Sequence, residues 1–331
     1  MNNRKTINIV TSLNDKYTLY TVVLLTSLFK TQTHDYPIHI FIMYNSLNND
    51  NQKILIDTVK SYGGEISFLY VDSSLFKDFG TSESWSYEAY FRLLLPNIMS
   101  DTIDRFLYLD VDVIVNQDIS DMYFSDLNDI DICAAYDVTP LPFEDKRAFF
   151  FKEWYEEGSL KYFCSGVTLW NLERIRQTHN FNSYIEIAKS INFEMVAPDQ
   201  DILNIAHHGH IQIWEDPAKY GLYGKYSYNI GIHYDEVKEY SAIIHFAGQK
   251  PWSGQYVHYD IEQLWWDYAK LTPYYLQLLE EFMQGVLHNP LVYDTMKASL
   301  SEKEMLQKNL TESLELNKKL LGMLNSINPS T

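Results

Sequence analysis

The ten residues from Phe106 to Val115, FLYLDVDVIV, place two carboxylates, Asp110 and Asp112, inside an otherwise apolar β-branched and aromatic run. Read as one strand, the run has a side-chain period of two, which sets both acids on one face. Burying two like charges there without a partner costs on the order of several kcal/mol, because desolvation and repulsion both oppose it. A bound divalent cation removes that penalty. The alternative is a strand that ends at Leu109, with both acids solvated in a loop. Two further Asp-x-Asp triplets, Asp129-Ile130-Asp131 and Asp199-Gln200-Asp201, arise readily by chance in so acidic a chain.

The surroundings of this run favour an α/β fold. Upstream, short β-branched runs alternate with helix-length segments: strands are expected at Ile7–Val10, Ile38–Tyr44 and Ile66–Val71, with helices at Tyr17–Lys30, Asn49–Tyr62 and Tyr87–Pro96. That pattern builds a sheet covered by helices. Further strands are expected at Asp131–Tyr136, Gly166–Asn171, His210–Trp214 and Ala242–Phe246. The aromatic segment Thr139–Lys161 is too long for an ordinary turn and reads either as a lid or acceptor-binding insertion or as a packed helical satellite. After Pro273 the pattern turns helical, which divides the chain into a main domain, 1–272, and a helical extension, 273–331.

With 331 residues and 46% hydrophobic content the chain can bury a large core. Its net charge of −18 disfavours nucleic acid and anionic lipid as partners. Cys133 and Cys164 are too few for a disulfide framework or a four-cysteine zinc site. The opening MNNRKTINIVTSLND has too short an apolar run for a signal peptide, and no segment is apolar enough to span a membrane, so the expected location is cytoplasmic.

His245 ends the apolar run Ala242-Ile243-Ile244, and strand ends are where α/β sheets put their ligands. By itself it reads as a satisfied core histidine. Together with Asp110 and Asp112 it makes a set of two carboxylates and one imidazole, which suits Mn2+ or Mg2+ better than structural zinc. The other nine histidines, the pair His207-His208 included, lack such surroundings. Lys250, in the Gly-containing loop that follows, is either an exposed lysine or a point charge for a diphosphate.

The N-terminal strand with a loop ending in Tyr17, Tyr90-Phe91-Arg92, LYLDVDVIV, YFCSGVTLWNL, PDQDILN and IIHFAGQKPW occur in an order and spacing that resembles glycosyltransferase family 8, from about Ile7 to Trp266. That family includes bacterial lipopolysaccharide galactosyltransferases, glucosyltransferases of serine-rich surface proteins, and glycogenin. The resemblance implies an A-type glycosyltransferase fold: a Rossmann-like, mostly parallel mixed sheet flanked by helices. It implies Mn2+, or alternatively Mg2+, on Asp110, Asp112 and His245, bridging the phosphates of a UDP-sugar. Thr11, Asn14 and Tyr17 would hold uracil, with Tyr17 stacked on the base. Asp110 and Val111 would approach the nucleotide, and Gly248 and Lys250 the diphosphate. Arg92, Asp137, Asp199 and Gln200 match positions that contact the donor sugar. Read without the resemblance, Arg92 is a helix-surface cation, Asp137 a turn residue and Asp199 a helix N-cap.

The family retains anomeric configuration, so the implied reaction moves glucose or galactose from a UDP-hexose to a hydroxyl of a glycan or glycoprotein acceptor. Same-face displacement, with the departing phosphate accepting the hydroxyl proton, needs no base on the chain; double displacement through Gln200 or Asp137 is the competing route. Cys164 stands where the family commonly has Asn, which puts a sugar contact in doubt. Asn14 and Lys16 replace an Asp and an Asn, and His245 to Lys250 is one residue short of the commonest form, which puts the reach of Lys250 in doubt. A UDP-binding partner protein without activity is the alternative function. In the tail, Leu306, Leu310 and Leu314 recur every four residues, which reads either as a core-capping helix or as a self-associating one, with a homodimer through the C-terminal helices expected.

Overall fold

A computed structural model describes residues 5–81, 86–138, 149–216, 218–254 and 259–327. Contacts divide the chain into two compact units, 1–251 with 258–275, and 252–257 with 276–331. The first contains the sheets. Strands β1 (Ile7–Ser12), β2 (Ile38–Tyr44), β3 (Glu65–Tyr70), β4 (Arg105–Leu109), β6 (Ile132–Tyr136), β7 (Phe163–Asn171) and β8 (Ile211–Ile213) form one seven-stranded sheet in the order β3-β2-β1-β4-β7-β6-β8. Strands β5 (Val113–Val115), β9 (Tyr220–Tyr223) and β10 (Ile243–His245) form a second sheet, ordered β5-β10-β9. In the large sheet only β7 runs against its neighbours, β4 and β6; β1, β2, β3 and β4 pair in parallel, as do β6 and β8.

Local sequence explains these elements. β1 and most of β2 are buried, and INIVTS and IHIFIMY accordingly read as near-continuous apolar runs. The helix Thr18–Thr31 packs against β5, and the helix Asn49–Ser61 begins at Asn48, whose side chain accepts from the Asn51 amide at 2.9 Å. Alternation along the strands sends side chains into two cores. Ile7, Ile9, Leu107 and Leu109 join one; Val10, Phe106, Tyr108 and Trp170 join the other, where Phe106 stacks on Trp170 at 5.2 Å.

Three expectations need correction. Phe106–Val115 is not one strand: the chain leaves the large sheet at Leu109, turns through Asp110–Asp112 and enters the second sheet at Val113. The carboxylates therefore converge through a turn between sheets, not through strand period. β7 starts at Phe163, ahead of the expected Gly166, and this brings Phe163, Cys164 and Ser165 into the sheet. β9 was not anticipated, because its short Tyr-Gly-Leu-Tyr run carries little strand signal. Of the Thr139–Lys161 segment, 139–148 lie outside the described residues; the rest holds a helix, Phe149–Glu156, in which Phe151 is buried against Tyr162 and packs with Trp154 and Leu160. The described part is thus a packed helical satellite. The second unit contains the helix Pro290–Ile327. No described helix is long and apolar enough to cross a membrane.

Candidate active site

The carboxyl end of β4 and the opening residues of β7 meet because those strands are antiparallel neighbours. The Asp110 amide donates to the Gly166 carbonyl at 2.8 Å, and the Phe246 amide donates to the Asp112 carbonyl at 2.8 Å. Asp110 is thereby tied to β7, and Asp112 to the end of β10. In the second sheet His245 pairs with Val113, so the imidazole lies beside the Asp110–Asp112 turn. Its Nε2 is 3.3 Å from Oδ1 of Asp112 and 3.8 Å from Oδ2 of Asp110.

Asp110, Asp112 and His245 each offer a ligand atom, and these atoms lie within 4.8 Å of one another. A Cβ added to Gly166 would lie 2.2 Å from Cε1 of His245 and 2.7 Å from Oδ2 of Asp110, so the floor of this cluster requires glycine. Hard carboxylate oxygens with one imidazole and a cleared floor fit a divalent cation such as Mn2+ or Mg2+.

Of the loop alternative, the strand end at Leu109 is borne out but the solvation is not: Asp112 is buried and Asp110 is half-buried. Burial opposes the charge on Asp112, but the Lys250 ammonium and then His245 outweigh it and hold the carboxyl well below the usual range. Burial likewise opposes a charged His245, and the Asp112 carboxylate overrides it, raising the imidazole pKa. Lys250 Nζ donates to Oδ2 of Asp112 and, at 3.2 Å, to the Phe246 carbonyl, so the shortened loop still lets it reach the cluster. Within that loop Gly248 has φ +83°, a left-handed conformation that favours glycine.

Arg92 lies on the 3-10 helix Tyr87–Leu94, yet it is no surface cation: the residue is 2% exposed. Its guanidinium donates to Oδ1 of Asp110 at 2.8 Å, pairs with Oδ2 of Asp199 at 3.1 Å, donates to the Ser165 carbonyl, and packs 3.9 Å from the centre of the Tyr108 ring. Asp199 sits in the first turn of the helix Pro198–Ala206, whose N-cap is Ala197, so the cap reading of Asp199 fails. Burial raises the Asp199 pKa despite Arg92. The Gln200 side chain accepts from the Ser165 amide at 3.0 Å and donates to Oδ2 of Asp137 at 2.7 Å. Asp137 follows β6 and is held by its amide to the Tyr162 carbonyl at 3.0 Å. One connected set of contacts therefore runs from Lys250 through Asp112, His245, Asp110 and Arg92 to Asp199, with Gln200 and Asp137 joined to it at Ser165.

Of the residues expected to hold the base, Asn14 and Tyr17 lie beyond the carboxyl end of β1. Thr11 is inside β1 and fully buried, with no hydrogen-bond partner for its hydroxyl among the described residues. Asn14 caps the 3-10 helix Asp15–Tyr17 and donates to Glu88 at 3.1 Å. Asn14 and Glu88 also line a cavity of about 330 Å³ with Asn45, Ser86 and Tyr87. Tyr17 is half-buried and meets Tyr20 edge-on at 5.9 Å, while half-buried Val111 packs on the core.

Two features escaped sequence reasoning. Gly166 is one, although glycine within a strand run signals a close approach. The other is His207, which does have a carboxylate partner: its Nδ1 is 2.9 Å from Asp131 and its Nε2 is 2.9 Å from the Tyr184 hydroxyl. Asp131, His179 and His207 form the second metal-capable group among the described residues. Arg174 already pairs with Asp131 at 2.7 Å, and both His207 nitrogens are engaged, so this group reads as a satisfied structural network.

The family model for glycosyl transferase family 8 matches residues 8–255. General stress protein A of Bacillus subtilis (strain 168) is 26% identical over 267 residues, covering 76% of this chain and 89% of that protein. A lipopolysaccharide 1,2-glucosyltransferase of Escherichia coli is 24% identical over 265 residues, covering 76% of this chain and 75% of its own. Among solved structures, the galactosyltransferase LgtC in complex with donor and acceptor sugar analogues superposes with a TM-score of 0.67 at 24% identity, over 81% of this chain and 96% of its own. The sheet order, the motifs in register and a match across most of the chain agree: this protein is a member of glycosyltransferase family 8, with the A-type glycosyltransferase fold.

Proposed function

We propose that the chain transfers a hexose, glucose or galactose, from a UDP-sugar to a hydroxyl of a glycan or glycoprotein acceptor, with Mn2+ or Mg2+ as cofactor and with retention of the α-configuration. The observation that carries this reading is the convergence of Asp110, Asp112 and His245 beside Lys250, over a floor that only glycine fits. Relatives named as a glucosyltransferase and a galactosyltransferase support a hexose donor.

In this reading Asp110, Asp112 and His245 hold the metal, which when bound supplies positive charge against the diphosphate. Lys250 adds a point charge to the leaving group, and the Gly248 turn leaves backbone amides near it. The Thr11–Tyr17 segment and the cavity beside Asn14 receive the base, with Tyr17 stacking. Val111 contributes backbone to the nucleotide site. Arg92, fixed between Asp110 and Asp199, and Gln200, fixed against Asp137, hold the donor sugar.

The hydroxyl attacks on the face the diphosphate leaves, and the departing phosphate accepts its proton. Both polar ends of the Gln200 amide are engaged, by Ser165 and Asp137, which favours positioning over nucleophilic attack. The domain 1–272 carries this chemistry, and the extension 273–331 serves self-association.

UDP release from UDP-glucose, UDP-galactose and their N-acetylated counterparts, with Mn2+ or chelator, tests the reading. Metal-dependent release from one donor, lost in Asp112→Ala, is expected. Absence of both release and metal-dependent UDP binding in the wild type overturns it.

A further inference from the structure

Cys164 lies against the Nδ1 edge of His245, away from the carboxylates that face Nε2. Its Sγ lies 3.6 Å from Nδ1 of His245, within hydrogen-bond reach for sulfur, and both residues are buried. The period of β7 sets Cys164 and Gly166 on the same side of the strand, so the imidazole lies across both: Nδ1 meets the thiol, and Cε1 and Nε2 pass over the missing Cβ of Gly166. On the opposite edge Nε2 faces Asp112 and Asp110. An imidazole that offers the Nε2 lone pair to a cation carries its proton on Nδ1, and that proton needs an acceptor.

We propose that Cys164 is a positioning residue for His245: its sulfur accepts the Nδ1 proton and holds the ring with Nε2 toward the two carboxylates. The inference rests on reading Asp110, Asp112 and His245 as metal ligands. It assigns the thiol a place beside Nδ1 of the imidazole. Other occupants of that volume act differently. Valine fills it without an acceptor, whereas serine keeps an acceptor in less volume. A packing role for Cys164 and a positioning role therefore predict opposite orders for the two substitutions.

The test uses the full chain and measures binding, not turnover. Equilibrium dialysis of labelled UDP over a series of Mn2+ concentrations gives the Mn2+ half-saturation for wild type, Cys164→Val, Cys164→Ser and, as a control in a separate part of the core, Cys133→Val. Thermal unfolding in chelator checks that each variant is folded. The expected result is a rise in Mn2+ half-saturation of about 10- to 100-fold for Cys164→Val, the range typical when a ligand histidine loses its partner. Cys164→Ser should stay near wild type, and Cys133→Val should match it. Equal Mn2+ half-saturation for wild type and Cys164→Val overturns the inference and leaves the metal site standing. Greater impairment by serine than by valine also overturns it, in favour of packing. If wild type itself shows no Mn2+-dependent UDP binding, the metal reading and this inference fall together, and that result appears before any substitution is compared.

Discussion

Gly166 lies so close beneath His245 that a Cβ on it would sit 2.2 Å from Cε1 of the ring. Gly166→Ala must therefore push the imidazole away from the Asp110–Asp112 turn. A shift of about 1 Å at a reacting centre can cost about 100-fold in rate, and activity should fall by at least that order. The fold should survive, with a stability loss of about 1–3 kcal/mol from overpacking. Donor turnover and urea unfolding of the same variant check both halves of the expectation.

Lys250 bonds Asp112 from the loop after β10 and is the cation assigned to the proposed leaving group. Lys250→Met should lower kcat by about 100- to 1000-fold, as removal of one charge-stabilising donor does elsewhere, while the Mn2+ requirement persists. Steady-state kinetics with the preferred donor decide it. An unchanged kcat would remove Lys250 from the machinery.

Arg92 neutralises Asp110 and Asp199 at once from a buried position. Arg92→Met strands Asp199 without its cation and should destabilise the protein by about 3–5 kcal/mol. Adding Asp199→Asn should recover part of that loss, because it removes the stranded charge. Urea titration of the single and double variants at one pH gives the coupling.

Buried His207 and half-buried His179 make a pH prediction. Burial lowers the pKa of His207 and His179 below the ordinary value of 6.5, so between 6.5 and their folded values the unfolded chain binds more protons and stability falls as the pH drops. Asp201, raised to about 6 by burial, works the other way: the folded state takes up its proton first, which adds stability as the pH falls through 6. The metal-free stabilisation from His245, whose pKa is raised, is complete below 6.5 and lost only at higher pH. The acid slope of His207 is thus isolated by difference. Unfolding free energies in chelator from pH 6.5 to 5.5 should fall less steeply in His207→Gln than in wild type.

The helix Pro290–Ile327 leaves Leu306, Leu310 and Leu314 exposed along one row. If that row mediates self-association, Leu310→Glu with Leu314→Glu should convert a dimer to a monomer in light scattering, without loss of donor turnover. A wild type that stays monomeric at high concentration would sink the dimer.

How much of this was legible in the sequence depends on the range of the interaction. β1 and β2 were readable because burial on both faces leaves near-continuous apolar runs, and the helices after them because apolar spacing in the first and the Asn48 cap of the second leave local marks. Asp112 and His245 were readable as candidates because each interrupts or ends an apolar run, and Lys250 because it lies in the Gly-containing loop that follows. The split of Phe106–Val115 was not, since both halves carry the same strand preference and only pairing with β10 separates them. Arg92 looked like a surface residue because the carboxylates that bury it, Asp110 and Asp199, are distant in sequence. Asp131 sat in a triplet that composition explains, yet its partners, buried His207 and half-buried Arg174, come from the C-cap of one helix and the body of another.

The turn at Asp110–Asp112 has a mechanical consequence. Asp110 is anchored to the large sheet through Gly166, whereas Asp112 and His245 are anchored to the small one through Phe246 and Val113. The gap between the candidate ligands is therefore a caliper reading of how the two sheets are registered. Any substitution along β5, β9 or β10 that slides one sheet by a fraction of an ångström resets the jaws. An ion gripped there would in turn act as a rivet, making the alignment of the sheets and the occupancy of the site two readings of one variable.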